Sequence, residues 1–169
     1  MKLSLKEGIY LDTYTVAFFG HRYVEDFFRT EDKLQKVISD LLRNHYYVEF
    51  LVGRNGDFDQ MVSSTVLRCK RSVRDDNSSL MLVLLPYPTS EFEHNEDSFY
   101  NYYDEIEICE ESARAHFKGA MQIRNRHMVD RADLVVCYIE HNEGGAYQTV
   151  QYAKKQDKKI INMAELEEE

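Results

Sequence analysis

The residues of this chain best suited to chemistry lie in three short polar segments, each directly after an apolar run. They are Gly20-His21-Arg22, Gly53-Arg54-Asn55-Gly56 and Asn142-Glu143-Gly144-Gly145. Glycine lets backbone approach a ligand closely, and a helix that begins after such a segment presents free N–H groups to an anion. Because ligands bind at the carboxyl ends of parallel strands, the three segments together predict one site for a small phosphorylated molecule.

The first segment combines a turn glycine with two functional side chains. The Arg22 guanidinium suits bidentate pairing with a phosphate or carboxylate. The His21 imidazole could hydrogen-bond a ligand or exchange a proton near neutral pH. The alternative is a turn glycine followed by two solvated side chains.

The second segment places two glycines around polar residues, immediately before a predicted helix. It matches neither the Walker A loop nor the GxGxxG fingerprint. Asp57 and Gln60 have the spacing of a capping box, so Asp57 is interpreted as a helix cap. Asp59 lies in the first turn, where it would bind a ribose hydroxyl or a loop amide, or complement the helix dipole.

The third group joins Arg124 to the glycines at 144 and 145. Arg124 lies three residues after Met121 and four before Met128, on the apolar stripe of a predicted helix. A charge there needs a partner, which is either a ligand phosphate, a buried carboxylate or a dimer contact. The Gly144-Gly145 pair could supply amides to a phosphate, and Thr149 could add a hydroxyl.

These considerations give one predicted ligand site and no metal site. The six histidines form no HxxxH or HExxH pattern, so no zinc is expected. No GxSxG elbow occurs either, and the catalytic residues, if any, are unknown. The predicted ligand-binding residues are Gly20, His21, Arg22, Gly53, Arg54, Asn55, Gly56, Asp59, Arg124, Gly144, Gly145 and Thr149.

Alternating strand and helix patterns must position these residues. Apolar runs predict strands at 14–19, 46–52, 80–85, 104–109, 133–139 and 159–163, and helical periodicity predicts helices at 31–44, 58–74, 112–130 and 145–156. Thr30 is the expected N-cap of the first helix, and Ala113, Phe117, Ala120, Met121 and Met128 form the expected buried stripe of the third. The pattern predicts an α/β fold, a three-layer sandwich around a mainly parallel sheet of about six strands, in a single domain over 1–169.

Residues 86–103 are the least regular part of the sequence. They are rich in acidic and aromatic residues. One interpretation is a surface connection packed by its own rings. The other is a lid over the ligand site, because long ordered loops in compact domains are often functional.

Composition limits the classes of function. A chain of 169 residues with 43% hydrophobic content can form one domain with its own core. The net charge of −9 argues against general binding to nucleic-acid backbones. No apolar run reaches the about 18 residues of a membrane span, and residues 1–12 lack the apolar stretch of a signal peptide, so a cytoplasmic location is expected. The three cysteines are expected to be buried free thiols, and homo-oligomer formation stays open.

Three stretches of the sequence resemble a known superfamily. TVAFFGHR, FLVGRNGDFD and RNRHMVDRADLVVCYIEHNEGGAYQTVQYAKK are similar to the SMF/DprA–LOG (SLOG) superfamily, and within it to small bacterial proteins with a GHR opening. The resemblance covers about residues 14–163. It implies a Rossmann-like fold and a nucleotide or nucleotide-derived ligand held at the strand ends, with no further cofactor required.

The sequence departs from the superfamily pattern at two places. Relatives often have a GGALGFD-type second loop, and here Arg54 and Asp57 replace two of its glycines. The LOG phosphoribohydrolases pair a helix arginine with a GGxGTxxE turn, whose glutamate position falls on Tyr152 here. The resemblance thus implies a sensor or carrier. A nucleotide N-glycosidase or phosphoribohydrolase-like enzyme, and a protein-interaction domain without ligand, are the alternatives.

Overall fold

The computed structural model describes residues 12–86, 90–113 and 115–167. These residues form a six-stranded sheet in the order β4-β3-β2-β1-β5-β6. The strands are β1 (Thr13–Gly20), β2 (Tyr47–Val52), β3 (Ser78–Leu84), β4 (Glu105–Ile108), β5 (Leu134–Tyr138) and β6 (Lys159–Asn162). The helices are α1 (Phe27–Asn44), α2 (Asp57–Ser72), α3 (Ser90–His94), α4 (Glu96–Tyr102), α5 (Phe117–Arg131) and α6 (Gly145–Lys155).

All neighbouring strands pair in parallel, which confirms the predicted α/β class and three-layer sandwich. Successive side chains of a strand point to opposite faces of the sheet. Val16 and Phe18 of β1 therefore pack with α1 and α2 on one face, while Ala17 and Phe19 pack with α5 and α6 on the other. Both faces are covered, as the continuous apolar strands predict.

The order of the strands reverses between β1 and β5. The chain runs outward from β1 through β2 and β3 on one side, and β5 returns to pair with the other edge of β1. Gly20 pairs with Tyr138, so the two strands end at the same level. Such a reversal opens a crevice outside the strand ends, which is the usual ligand position in open α/β sheets.

The predicted N-cap residues of α1 and α2 were wrong. Helix α1 begins at Phe27, and its N-cap is Asp26, whose carboxylate accepts a hydrogen bond of 3.4 Å from the Arg29 N–H. Thr30 lies inside the helix and is buried. Helix α2 has Gly56 as its N-cap with no side-chain hydrogen bond, so Asp57 and Gln60 form no capping box.

The third long helix also begins later than predicted. A 3₁₀ turn at Glu110–Ser112 comes first, closed by the Ser112 hydroxyl, which donates to the Cys109 carbonyl at 2.7 Å. His116 is extended, with φ −62° and ψ 159°, so α5 begins only at Phe117. As a result Ala113 and Phe117 are exposed, whereas the rest of the stripe is buried or partly buried as expected.

The segment at 90–102 forms the two short helices α3 and α4, which the sequence pattern did not indicate; residues 87–89 lie outside the described residues. Its rings anchor it to the domain. Phe99 is 7% exposed and packs edge-on against Phe92, with ring centroids 5.3 Å apart. Both rings contact the core cluster on the α1–α2 face of the sheet.

The remaining expectations concern thiols, membranes and metals. Cys69, Cys109 and Cys137 are all buried and free, as predicted. No helix in the described part of the chain has the length and apolar character needed to cross a bilayer. Within 12–86, 90–113 and 115–167, no three side chains of the His, Cys, Asp or Glu type are grouped to hold a metal ion.

Candidate functional site

A cavity of about 690 Å³ opens beyond the carboxyl ends of β1, β2 and β5, at the point where the strand order reverses. Small-molecule sites commonly measure about 300–1,000 Å³. Residues from all three predicted segments and from α5 line it. The predicted site residues on its wall are Gly20, His21, Arg22, Asn55, Asp59, Arg124, Gly144 and Gly145.

The first two segments interlock through their glycines. A Cβ on Gly20 would lie 2.4 Å from the ring of Phe58, which is fully buried. A Cβ on Gly56 would lie 2.6 Å from the Arg22 Cα. The Asp57 N–H donates to the Arg22 carbonyl at 2.8 Å, and the Asp57 carboxylate accepts from the Val24 N–H at 3.3 Å. The glycines here permit the close approach of two loops.

Arg22 is an exposed cation on the cavity wall. Its side chain is exposed, and it has no hydrogen-bonding or ionic partner among the described residues. The backbone around it is fixed by the contacts of Gly56 and Asp57. A guanidinium on a fixed backbone with free donors suits an anion entering the cavity.

His21 contacts the loop that leads from β5 to α6. Its Nε2 accepts hydrogen bonds from the N–H groups of Glu140 at 3.0 Å and His141 at 3.4 Å, and its ring stacks on His141 at 3.7 Å. Burial lowers the pKa of His21, and His141 lowers it further, while Glu140 opposes the shift. His21 is therefore neutral at Nε2 and fixes the loop.

This arrangement predicts that the protein becomes less stable at acidic pH because His21 becomes protonated. Because the folded-state pKa of His21 is below its ordinary 6.5, the unfolded chain binds the proton more readily. The stability that His21 contributes above pH 6.5 is lost as pH falls through the lowered folded pKa. We expect His21→Gln to reduce the loss of Tm between pH 7.5 and pH 5, measured by thermal unfolding.

The control for that experiment is His94→Gln, a change at an exposed histidine of α3. The control protein should keep the full pH dependence of the wild type. Equal pH profiles for all three proteins would contradict the role given to His21.

Arg124 is the buried charge of the site, at 6% exposure. Its Nε and Nη2 donate to the Asn125 Oδ1 at 3.2 and 2.8 Å, and its Nη1 donates to the Val83 carbonyl at 3.4 Å. A guanidinium has five N–H donors, so two remain. Burial lowers the pKa of Arg124, and the Asp59 carboxylate opposes that shift.

Asp59 is the countercharge and also secures the second segment. Its carboxylate accepts the Asn55 N–H at 2.8 Å, which is the loop-amide role considered above. Burial raises the pKa of Asp59, and the Asn55 hydrogen bond and Arg124 oppose the rise. A Cβ on Gly53 would lie 3.1 Å from the Asp59 carboxylate and 3.3 Å from the Arg124 guanidinium. Gly53 thus leaves room for both charges.

A chain of hydrogen bonds between buried side chains connects Arg124 to the start of α6. Asn125, which holds Arg124 through its Oδ1, donates from Nδ2 to the Thr149 hydroxyl at 3.0 Å. Thr149 donates to the Gly145 carbonyl at 2.9 Å. Thr149 is fully buried and does not line the cavity, so it supports the site from behind.

The start of α6 supplies the main-chain donors. Gly144 has φ +96°, a left-handed conformation that favours glycine, and gives no side-chain cap. Among the described residues, no acceptor faces the N–H groups of Gly145, Ala146 or Tyr147. Asn162 of β6 braces the loop before them, because its Oδ1 accepts the Ile139 N–H and its Nδ2 donates to the Ile139 carbonyl, both at 3.0 Å.

Arg54 was predicted to bind the ligand but does not line the cavity of 690 Å³. Its Nη1 donates to the Glu91 carboxylate at 2.9 Å, and its guanidinium stacks over the Phe99 ring at 4.4 Å. It lines two neighbouring cavities of about 210 and 510 Å³ but not the large one. Gly53 lines the cavity of 510 Å³, and Gly56 lies beneath Arg22.

The cavity also contains residues that sequence reasoning missed. Lys118 and Gln122 are four apart on α5, a spacing that places both on one helix face and could have indicated a polar wall. Phe117 was assigned to the buried stripe, and the late start of α5 exposes it instead. The further lining residues absent from the predicted set are Phe18, Phe19, Tyr23, Lys118, Met121, Gln122, Asn125, His141, Glu143, Ala146 and Gln148.

Tyr152, at the glutamate position of the LOG pattern, is not on the cavity wall. Its hydroxyl donates to Asp130 at 2.7 Å, and the Arg126 guanidinium lies 5.2 Å above its ring. Glu143 does line the cavity.

Comparison with known proteins gives a fold. No protein-family model matches the chain, and no curated protein sequence matches it. A solved structure that resembles it is DNA processing protein A (DprA) from Streptococcus pneumoniae, with a TM-score of 0.61 and 16% identity. The chain has a DprA-like fold. The match covers 88% of this chain and 49% of the DprA chain, so the protein spans about half the length of that relative.

Proposed function

We propose that the protein binds a nucleotide or nucleotide-derived ligand in the 690 Å³ cavity, as a sensor or carrier of the SMF/DprA–LOG superfamily. One observation carries the proposal. At the reversal of strand order, the cavity combines unpaired N–H groups at the start of α6 with two arginines, Arg22 and Arg124. Main-chain donors at a helix start together with guanidinium groups are the chemistry that binds phosphate.

The charge of the cavity supports an anionic ligand. Arg22, Lys118 and Arg124 line it against the carboxylates of Asp59 and Glu143. These five side chains together carry a net charge of +1, whereas the chain as a whole carries −9. A local cationic cleft on an acidic protein attracts small anions without attracting nucleic-acid backbones in general.

The first experiment is native mass spectrometry of the purified protein, followed by denaturation and analysis of what is released. A retained nucleotide-like mass would support the proposal and identify the ligand class. If the protein is purified without a bound ligand, it is titrated calorimetrically with nucleoside mono-, di- and triphosphates. No heat of binding from any of these ligands would overturn the proposal. A free base appearing in the mixture would indicate glycosidic cleavage rather than storage of the intact ligand.

Replacing Arg22 separates binding from folding. We expect Arg22→Ala to weaken nucleotide binding by roughly 10- to 100-fold, the range for losing hydrogen bonds to a charged group. The free energy of unfolding should change by less than about 0.5 kcal/mol, because the side chain is exposed and unpartnered. Titration calorimetry and urea unfolding measure the two effects.

The matched control is Arg71→Ala. Arg71 is an exposed arginine near the end of α2 that lines none of the three cavities. The control should bind the nucleotide as the wild type does. Equal losses of affinity in both variants would show that net charge, rather than contact with Arg22, governs binding.

A further inference from the structure

We infer that the smaller cavity of about 210 Å³ beside the main one is a base pocket, so that the ligand is a nucleotide with an aromatic base rather than a sugar phosphate or a polyphosphate. The inference rests on the proposed function, because it places one end of the proposed ligand. It also gives the segment at 90–102 a role, since that segment supplies one wall.

The two cavities adjoin each other. Asn55, Phe117, Met121 and Arg124 line both of them. Arg124 therefore lies where they meet, close to both ends of a ligand that spans the junction. A phosphate at the start of α6 and a ring in the smaller cavity could belong to one molecule.

The size of the smaller cavity suits a ring. A cavity of about 150 Å³ is known to hold one benzene molecule. A volume of about 210 Å³ is larger than that but is at the lower end for a complete small-molecule site. The smaller cavity alone therefore accommodates a ring system, and the remaining atoms of a nucleotide belong in the larger one.

Six of the ten lining residues are apolar or aromatic. Leu84 ends β3 and Leu85 follows it, Phe92 and Phe99 come from α3 and α4, and Phe117 and Met121 come from α5. Stacking between bases and aromatic side chains contributes binding without requiring a particular base. A hydrated phosphate or a bare sugar would not cover these apolar surfaces as a base would.

Phe117 is the best candidate for a stacking surface. It is the first residue of α5, is 53% exposed, and lines both cavities. Its exposure leaves a large apolar face uncovered at the junction, where a base would cover it. The neighbouring ring of Phe99 is occupied on one side by the Arg54 guanidinium.

Asn55 offers polar recognition at the same junction. Its Nδ2 contacts only the Met121 sulfur, at 3.7 Å, and its Oδ1 accepts no hydrogen bond from any residue that the structure describes. A side-chain amide has both donors and an acceptor, which suits the edge of a base. The Arg54–Glu91 ion pair adds further polar groups to the wall.

The test compares ligands with and without a base. The wild type is titrated calorimetrically with the four ribonucleoside 5′-monophosphates and with ribose 5-phosphate, and the titrations are repeated with Phe117→Ala. We expect at least one monophosphate to bind roughly 5- to 100-fold more tightly than ribose 5-phosphate, and Phe117→Ala to remove most of that difference. The affinity for ribose 5-phosphate should stay unchanged.

Phe28→Ala is the matched control, because Phe28 is 79% exposed and lines none of the three cavities. It should retain the preference for the base. Equal affinities of the wild type for all five ligands would overturn the base pocket while leaving the phosphate site intact. A preference for the monophosphates over ribose 5-phosphate that persists in Phe117→Ala would also overturn a base pocket in which Phe117 is the stacking surface. Failure of all five ligands to bind, together with no heat from nucleoside di- and triphosphates, would overturn both proposals.

Discussion

Replacement of Arg124 by methionine is expected to abolish nucleotide binding and to lower the free energy of unfolding by roughly 2–4 kcal/mol, because buried hydrogen bonds to a charged group are lost. Arg124 is 6% exposed, and its guanidinium holds Asn125 and the Val83 carbonyl. Methionine fills much of the volume but cannot donate to the Asn125 Oδ1, which stays buried. A buried acceptor that loses its charged donor costs about 1–3 kcal/mol. The substitution also removes the positive charge that acts on the Asp59 carboxylate.

A second substitution distinguishes the loss of stability from the loss of nucleotide binding. Adding Asp59→Asn to Arg124→Met removes the carboxylate charge that acted on Arg124 and should recover part of the stability, but not the binding. Urea unfolding and titration calorimetry measure the two quantities on each variant. If the double variant is no more stable than the single variant, then the charge of Asp59 does not depend on Arg124. Retained affinity would remove Arg124 from the ligand site.

The substitution Gly20→Ala is expected to have the second large effect, a loss of both stability and ligand affinity. The added Cβ of Gly20→Ala would lie 2.4 Å from the Phe58 ring, which is 0% exposed. Overpacking of this kind typically costs about 1–3 kcal/mol. Since Phe58 lies in the first turn of α2, its displacement should also weaken ligand binding. Urea unfolding and calorimetry measure both.

Gly119→Ala serves as the control. A Cβ there would lie 3.5 Å from the Ala115 side chain, an ordinary contact, on an exposed position of α5. It should stabilise the protein by about 0.5–1 kcal/mol, because alanine is the better helix former. Combining Gly20→Ala with Phe58→Leu should cost less than the sum of the two separate changes, since they share one contact. Strict additivity would contradict the steric explanation.

Local patterns were sufficient to predict the sheet and its layers. The continuous apolar character of β3 and β5 indicates strands buried on both faces, and the alternation with amphipathic helices indicates parallel pairing. The placement of Arg124 on a buried stripe was also readable, because spacings of three and four residues define a helix face. Its burial in the structure agrees with that expectation.

Features that depend on distant residues were not predictable. Arg54 is directed to Glu91 and Phe99, which lie 37 and 45 positions further along the chain, and nothing near Arg54 in the sequence indicates them. The start of α5 depends on the turn at Glu110–Ser112. The turn and the extended His116 interrupt a sequence whose periodicity alone continues as a helix. Asp26, the N-cap of α1, lies four residues before the predicted cap Thr30.

The bracing of Ile139 by Asn162 has a consequence for how the protein is made. Asn162 is the last residue of β6, and it fixes the loop that leads to α6. A ribosome-bound chain that has emerged only as far as α6 already contains every residue of the cavity wall, but not this brace. We therefore expect ligand capture to follow the docking of β6. The ligand would then stabilise only chains in which β6 has docked.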